Sequence, residues 1–244
     1  VLVLDFDGVI ADAFDECAAV AWLGMRPNER DGAAEDHLGR APASFAERFR
    51  AVRPYCRTLD HFIVAHVPGS TEIADQADFD RRFAEAGEAR AAAFAERATA
   101  AREAIRRRDP AAWAAMHTLY PGIAELIRGA GAPVAIVTAK DEPSVRAILV
   151  AHGLEEGVRA VLGECHDKAR ELERLCAEAG LDAASSVFID DNLDNVLRVR
   201  STGARTFWAR WGYSTPEQHA RAEALGVDAL DLADLPGLAS ASRI

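Results

Sequence analysis

The first nine residues, VLVLDFDGV, constrain this chain more than any other stretch. Val1 to Leu4 form an apolar run of the kind that fills a strand buried on both faces of a parallel sheet. The run ends in Asp5 and Asp7, which flank Phe6, and then in Gly8. In open α/β sheets chemistry gathers where such strands end. A carboxylate taken out of water is costly unless a cation or several hydrogen bonds compensate it. Two acids at a buried strand end therefore call either for a divalent metal or for a turn that they cap at Gly8. Both explanations suit these residues alone, and the choice depends on the rest of the chain.

Three further signals follow in order. Pro133 to Thr138 reads PVAIVT, a short β-rich segment that delivers a hydroxyl at its last position. Val187 to Asp194 reads VFIDDNLD, another apolar run ending in acids. Between them Lys168 follows Asp167 at the start of an amphipathic pattern, with Leu172, Leu175, Cys176 and Ala179 at helical spacing and Asp167 as the predicted N-cap. Each signal has a plain reading by itself. Thr138 is a common strand residue, Lys168 would be solvated in a first helical turn, and Asp190 or Asp191 would cap the helix that begins near Asn192. The ordered set of four is far more specific, and it points to phosphoryl transfer.

In that order DFDGV at Asp5, the strand-end Thr138, the helix-start Lys168 and DDNLD from Asp190 resemble the four motifs of the haloacid dehalogenase superfamily. A second aspartate followed by glycine, here Asp7 and Gly8, resembles the phosphatases and phosphomutases; the dehalogenases and phosphonate-cleaving members carry a different residue at the position of Asp7. VTAKDEPSVRAIL from Val137 and WGYS at Trp211 to Ser214 are similar to the phosphoglycolate phosphatase and β-phosphoglucomutase branch. Val9 stands where many of the phosphatases have threonine, a departure that also occurs among the mutases. The resemblance implies a phosphatase that hydrolyses a small phosphorylated metabolite through an aspartyl-phosphate. The alternatives are a phosphomutase of the β-phosphoglucomutase type and a non-catalytic binding member of the fold.

The resemblance and the demands of phosphoryl transfer together assign expected roles. Asp5 is the nucleophile and Asp7 the general acid and base. The expected cofactor is Mg2+, a hard cation suited to oxygen ligands. Its expected ligands are the Asp5 side chain, the Asp7 backbone carbonyl and Asp190, with Asp191 or Asp194 as a fourth ligand or supporting group. Thr138 is expected to hydrogen-bond a phosphoryl oxygen, and Lys168 to neutralise charge shared between Asp5 and the phosphate. Ala139 and Lys140 join Thr138 and Lys168 as expected substrate-binding positions, while Lys140 and Asn192 also read as solvated loop residues.

The net charge of -11 argues against nucleic acid as a general partner. Arg106 to Arg108 lie in a segment also rich in acids and alanine, where a solvated helix end is the better reading. An acidic protein that handles a phosphate ester must offset repulsion locally, which makes Mg2+ and Lys168 more necessary. No apolar run approaches a membrane span, and the apolar start is too short and too quickly acidic for a secretory signal. The sequence begins without methionine, so a few residues are expected to precede it. Cys17, Cys56, Cys165 and Cys176 show no CxxC spacing, which favours free thiols in a reducing cytoplasm, and no structural metal is expected.

The 244 residues divide unevenly. From Gly122 onward helical and strand patterns alternate: a helix carrying Ile123, Leu126, Ile127 and Ala130, the Val134 strand, a helix from about Glu142 to His152, a strand at Val158 to Leu162, the Lys168 helix, the Val187 strand, the Val196 helix and a strand at Ala204 to Trp208. Such alternation predicts an α/β fold with a Rossmann-like parallel sheet. Between Asp12 and about Pro121 the pattern becomes long, alanine-rich and helical, as at Ser44 to Val52 and Asp78 to Arg108, too long for a loop. The expected division is an α/β catalytic core of residues 1–14 and 115–244 and an inserted all-helical domain of residues 15–114. The resemblance makes that insert a cap; the alternative is a packing or dimerisation module.

Overall fold

A computed structural model describes residues 1–25 and 41–241 of the chain. Residues 26–40 of the expected insert lie outside the described residues. The chain forms two compact units, one of Val1–Asp12 with Thr118–Ile244 and the other of Ala13–His117.

The first unit is built on a six-stranded parallel sheet. Its strands are β1 (Leu2–Leu4), β4 (Val134–Val137), β5 (Val158–Leu162), β6 (Val187–Asp190), β7 (Arg205–Ala209) and β8 (Ala229–Leu230), in the spatial order β5-β4-β1-β6-β7-β8. β1 is central, pairing Leu4 with Ile136 of β4 on one side and with Ile189 of β6 on the other. Helices at Ile123–Gly129, Glu142–Ala151, Lys168–Glu178, Leu193–Arg200 and Pro216–Ala224 connect or follow these strands. A strand covered on both faces must be apolar throughout, and β1 and β4 are buried along their whole length. Val3, Ala135, Val137 and Phe188 of the sheet pack with Leu172, Cys176 and Val199 of the helices. Each valine, leucine or phenylalanine side chain buried there stabilises the fold by roughly 1.5–3 kcal/mol. Ala179, expected on the apolar face of the Lys168 helix, is instead its exposed C-cap residue.

A second, two-stranded sheet pairs β2 (Ala11–Asp12) antiparallel with β3 (Thr118–Leu119). Asp12 and Thr118 are partners in this ladder, so the chain leaves the first unit and re-enters it at neighbouring positions.

Among the described residues, the unit Ala13–His117 contains helices and no strand. The predicted helix from Asp78 to Arg108 is two helices, Gln76–Ala86 and Glu88–Arg108, because Gly87 between them adopts a left-handed φ of 84°. Aromatic rings fill the unit: Phe45 stacks on Phe49 at 6.2 Å, and Phe49 meets Phe62 edge-on at 5.0 Å. Fully buried Glu16 is held by Arg102, whose Nε donates to Oε1 at 2.6 Å. Among the described residues no helix is long and apolar enough to cross a membrane, and the four cysteines are free thiols.

Candidate active site at the strand ends

The sheet register brings the acidic residues together. Asp5 directly follows β1, its backbone N–H donating to Ile189 O at 3.0 Å, and Asp190 is the last residue of neighbouring β6. Asp191 comes next. Asp5, Asp190 and Asp191 each present a carboxylate oxygen, and these atoms lie within 4.8 Å of one another. All three residues are less than a tenth exposed.

Lys168 is the buried cation facing them. Asp167 caps its helix by accepting from Arg170 N, as the sequence predicts, and this sets Lys168 at the first helical position. Its Nζ lies 2.9 Å from Asp5 Oδ1 and donates to Asp190 Oδ2 at 2.7 Å. Burial by itself would lower the lysine's pKa, but attraction to Asp190 and Asp5 outweighs it, and the ammonium is held well above the usual lysine range. For Asp190 burial is the leading influence and raises its pKa; Lys168 pulls it back, Asp5 pushes it up again, and the carboxyl ends at about 6. Asp190 also accepts from Asn192 N at 2.7 Å and Asn195 Nδ2 at 3.1 Å.

The helix after β6 is capped by Asn192, whose Oδ1 accepts from Asp194 N and Asn195 N, so neither Asp190 nor Asp191 serves that purpose. Asp194 lies outside the acidic cluster; its carboxylate accepts from Arg221 at 2.6 Å. The Asp7 side chain also stands apart from the cluster, with Oδ1 3.5 Å from Lys140 Nζ.

Lys140 corrects the reading of a solvated loop residue, since it is only 4% exposed. The loop after β4 packs tightly against the end of β5, where a Cβ on Gly163 would stand 2.3 Å from Glu142 N and 2.7 Å from Lys140 O. Thr138 is buried at the end of β4, and its Oγ1 accepts from Lys140 N at 3.3 Å. Ala139, between them, is exposed.

Sequence reasoning missed the residues that hold Asp191. Tyr213 N donates to Asp191 Oδ2 and Trp208 Nε1 to Asp191 O, both at 2.7 Å. Gly8 and Gly212 line the same carboxylate: a Cβ on Gly8 would meet Asp191 Oδ2 at 2.0 Å, and one on Gly212 would meet Asp191 Cβ at 2.3 Å. The WGYS segment carried a signal only as a resemblance.

Buried carboxylates in this number need positive charge, and among the described residues the ligand atoms that Asp5, Asp190 and Asp191 bring together are all carboxylate oxygens. Asp7 Oδ1 is in addition buried without a hydrogen-bond partner. The donor set fits a hard divalent cation.

A family model described as haloacid dehalogenase-like hydrolase matches residues 1–198. The Dickeya dadantii protein named "Probable phosphatase IndB" is 31% identical over 113 residues, 43% of this chain and 49% of that protein, so the match spans about half of the curated relative. The crystal structure of a predicted phosphoglycolate phosphatase from Haemophilus somnus superposes with a TM-score of 0.63 at 17% identity, covering 98% of this chain and 96% of that one. A haloacid dehalogenase family hydrolase from Deinococcus radiodurans, solved with bound phosphate and sodium, gives a TM-score of 0.57 at 18% identity over 99% of this chain and 95% of that one. At such identities the superpositions show a shared fold.

Proposed function

Because the chain belongs to the haloacid dehalogenase-like hydrolases, we propose that it is a Mg2+-dependent phosphoric monoester hydrolase, releasing phosphate from a small phosphorylated metabolite through an aspartyl-phosphate. The observation that carries this reading is the meeting of Asp5, Asp190 and Asp191 with the Lys168 ammonium at adjacent strand ends. We place the reaction in the cytoplasm, on the strength of the free thiols.

Asp5 attacks phosphorus in line, forming an acyl phosphate as the bond to the ester oxygen breaks. Asp7 gives its proton to that leaving oxygen. In the second step Asp7 takes a proton from water, whose oxygen attacks phosphorus and frees Asp5 with inorganic phosphate. Lys168 orients the Asp5 carboxylate and balances the charge that Asp5 shares with the phosphoryl group. Thr138 uses an oxygen lone pair to accept from Lys140 N, which leaves its proton to donate to a phosphoryl oxygen. Lys140, beside Asp7, adds a second positive charge on that edge of the site. Mg2+ would be held by the Asp5, Asp190 and Asp191 side chains with the Asp7 backbone carbonyl, and when bound it neutralises charge on the transferring group. The choice among esters is assigned to the helical unit, because every residue given a chemical role lies in the other one.

The test is a panel of phosphate monoesters assayed for inorganic phosphate with Mg2+ and with EDTA. Release that needs Mg2+ is expected. Isomerised ester without inorganic phosphate would instead identify a mutase, and an inert panel would overturn the catalytic reading.

A further inference from the structure

The loop after β7 has no part in the chemistry above, yet it is tied to the site at several points. Trp211 Nε1 donates to Val9 O at 3.2 Å, on the segment that follows Asp7. Gly212 lies so close that a Cβ would stand 2.5 Å from Gly8 O and 2.3 Å from Asp191 Cβ. Tyr213 makes two bonds in different directions. Its backbone N–H donates to Asp191 Oδ2 at 2.7 Å, and its phenol donates to Asp12 Oδ1 at 2.6 Å. Asp12 ends β2, where the chain leaves the first unit.

A backbone N–H can hold a carboxylate in one orientation only if its own loop is held. Trp211 and Tyr213 anchor this loop by three bonds, to Val9 O, Asp12 Oδ1 and Asp191 Oδ2, and Gly212 between them packs against Gly8 and Asp191. A phenol donating to a carboxylate at 2.6 Å is among the stronger of such anchors. We infer that Tyr213 is a positioning residue for the divalent cation: its phenol fastens the loop to Asp12, so that its N–H keeps the Asp191 carboxylate turned toward Asp5 and Asp190. This rests on the reading of the acidic cluster as a Mg2+ site. Groups that orient ligands from outside the coordination sphere typically contribute ~10- to 100-fold to metal affinity.

The test titrates Mg2+ into the metal-free full-length protein, followed by calorimetry and by tryptophan fluorescence, since Trp208 touches Asp191. Tyr213→Phe keeps the ring and removes only the hydroxyl; Mg2+ affinity should fall by ~10-fold, while the melting temperature in EDTA changes little. Asp12→Ala should give the same loss, and Asp12→Asn, which keeps an acceptor, should retain affinity near wild type. The double variant Tyr213→Phe with Asp12→Ala should be no worse than either single one, because both remove one bond. Equal Mg2+ affinity in wild type and both single variants overturns this inference alone. A lowered melting temperature in EDTA with unchanged affinity also overturns it, by leaving a merely structural contact. Absence of saturable Mg2+ binding in the wild type overturns the metal reading, and this inference with it.

Discussion

Lys168 donates to Asp190 at 2.7 Å, joining the first turn of one core helix to the last residue of a central strand. The same ammonium stands 2.9 Å from Asp5, so one cation faces two buried carboxylates. Lys168→Met keeps most of the length of the side chain and deletes its charge. Two consequences are expected: activity lost on every ester of a panel by ~10²- to 10³-fold, as for removal of other preorganised charge-stabilising groups, and a marked fall in the melting temperature of the metal-free protein. Steady-state rates across the panel and thermal melts in EDTA check both. A loss confined to some esters would mean that Lys168 serves specificity instead.

Asp5→Asn should reduce turnover by several orders of magnitude while leaving the fold intact, because the amide preserves shape without nucleophilicity. The change also removes one negative charge beside Asp190, so the metal-free variant should melt no lower than the wild type at neutral pH. Circular dichroism with a phosphate-release assay decides the matter. Activity near wild type in a folded Asp5→Asn protein would rule out the covalent route.

The burial of Asp190 has a pH signature. Its carboxyl titrates at about 6 in the folded protein, above the ordinary value of 3.8. A raised folded pKa means that this group's favourable contribution is complete below the unfolded value and is lost as pH rises through 6. A bound cation replaces the proton and removes that penalty. The rise in melting temperature on adding Mg2+ should therefore be large at pH 7.5 and small at pH 5, with affinity falling as protons compete below pH 6. Melts with and without Mg2+ at both pH values measure this. Equal shifts would sever the link between Asp190 and the metal.

Gly212→Ala places a methyl group 2.3 Å from Asp191 Cβ and 2.5 Å from Gly8 O, where backbone and a held side chain cannot yield cheaply. Overpacking of this kind costs about 1–3 kcal/mol. Denaturant unfolding should show that loss together with weakened Mg2+ binding. Wild-type stability and affinity would mean that the loop relaxes away from the site.

In the helical unit, Arg102→Met leaves the fully buried Glu16 carboxylate without its guanidinium partner. Breaking one side of a buried ion pair typically costs 3–5 kcal/mol, whereas replacing both partners with apolar groups of similar volume costs much less (about zero in favourable cases). Glu16→Leu combined with Arg102→Met should thus be more stable than Arg102→Met alone. Chemical unfolding of the single and double variants provides the comparison.

How legible each part was follows from the range of the interactions that form it. β1, β4 and β6 are apolar strands with acidic or hydroxyl residues at or beside their ends, so Asp5, Thr138, Asp190 and Asp191 stood out in the linear sequence, and the helical spacing after Asp167 marked Lys168. β7 begins one residue later than its pattern indicated, at Arg205. The short β8 escaped notice because two residues, Ala229 and Leu230, carry no periodicity. Lys140 read as solvated because the neighbour of its ammonium, Asp7 at 3.5 Å, lies far away in the chain and meets it only in the folded protein. Trp208 and Tyr213 could not be tied to Asp191 in advance, since those bonds span 17 and 22 residues of chain and need the sheet order to bring them together.

The pairing of Asp12 with Thr118 has a consequence for how such a chain can be rebuilt. Residues Ala13–His117 depart from one strand of a hairpin and come back on the other, and so stand in the place of its turn. The entropy of closing a chain grows only slowly with the length of the closed segment, about 0.6 kcal/mol per doubling. A hairpin that tolerates a whole domain as its loop is therefore a graft point. Replacing the insert with a two-residue turn, or with another helical domain of closely spaced termini, preserves the connectivity of every strand of the parallel sheet. On the proposed assignment of ester choice to the insert, substrate choice would become a cassette, exchangeable at a single junction while the residues proposed for the phosphate chemistry stay in place.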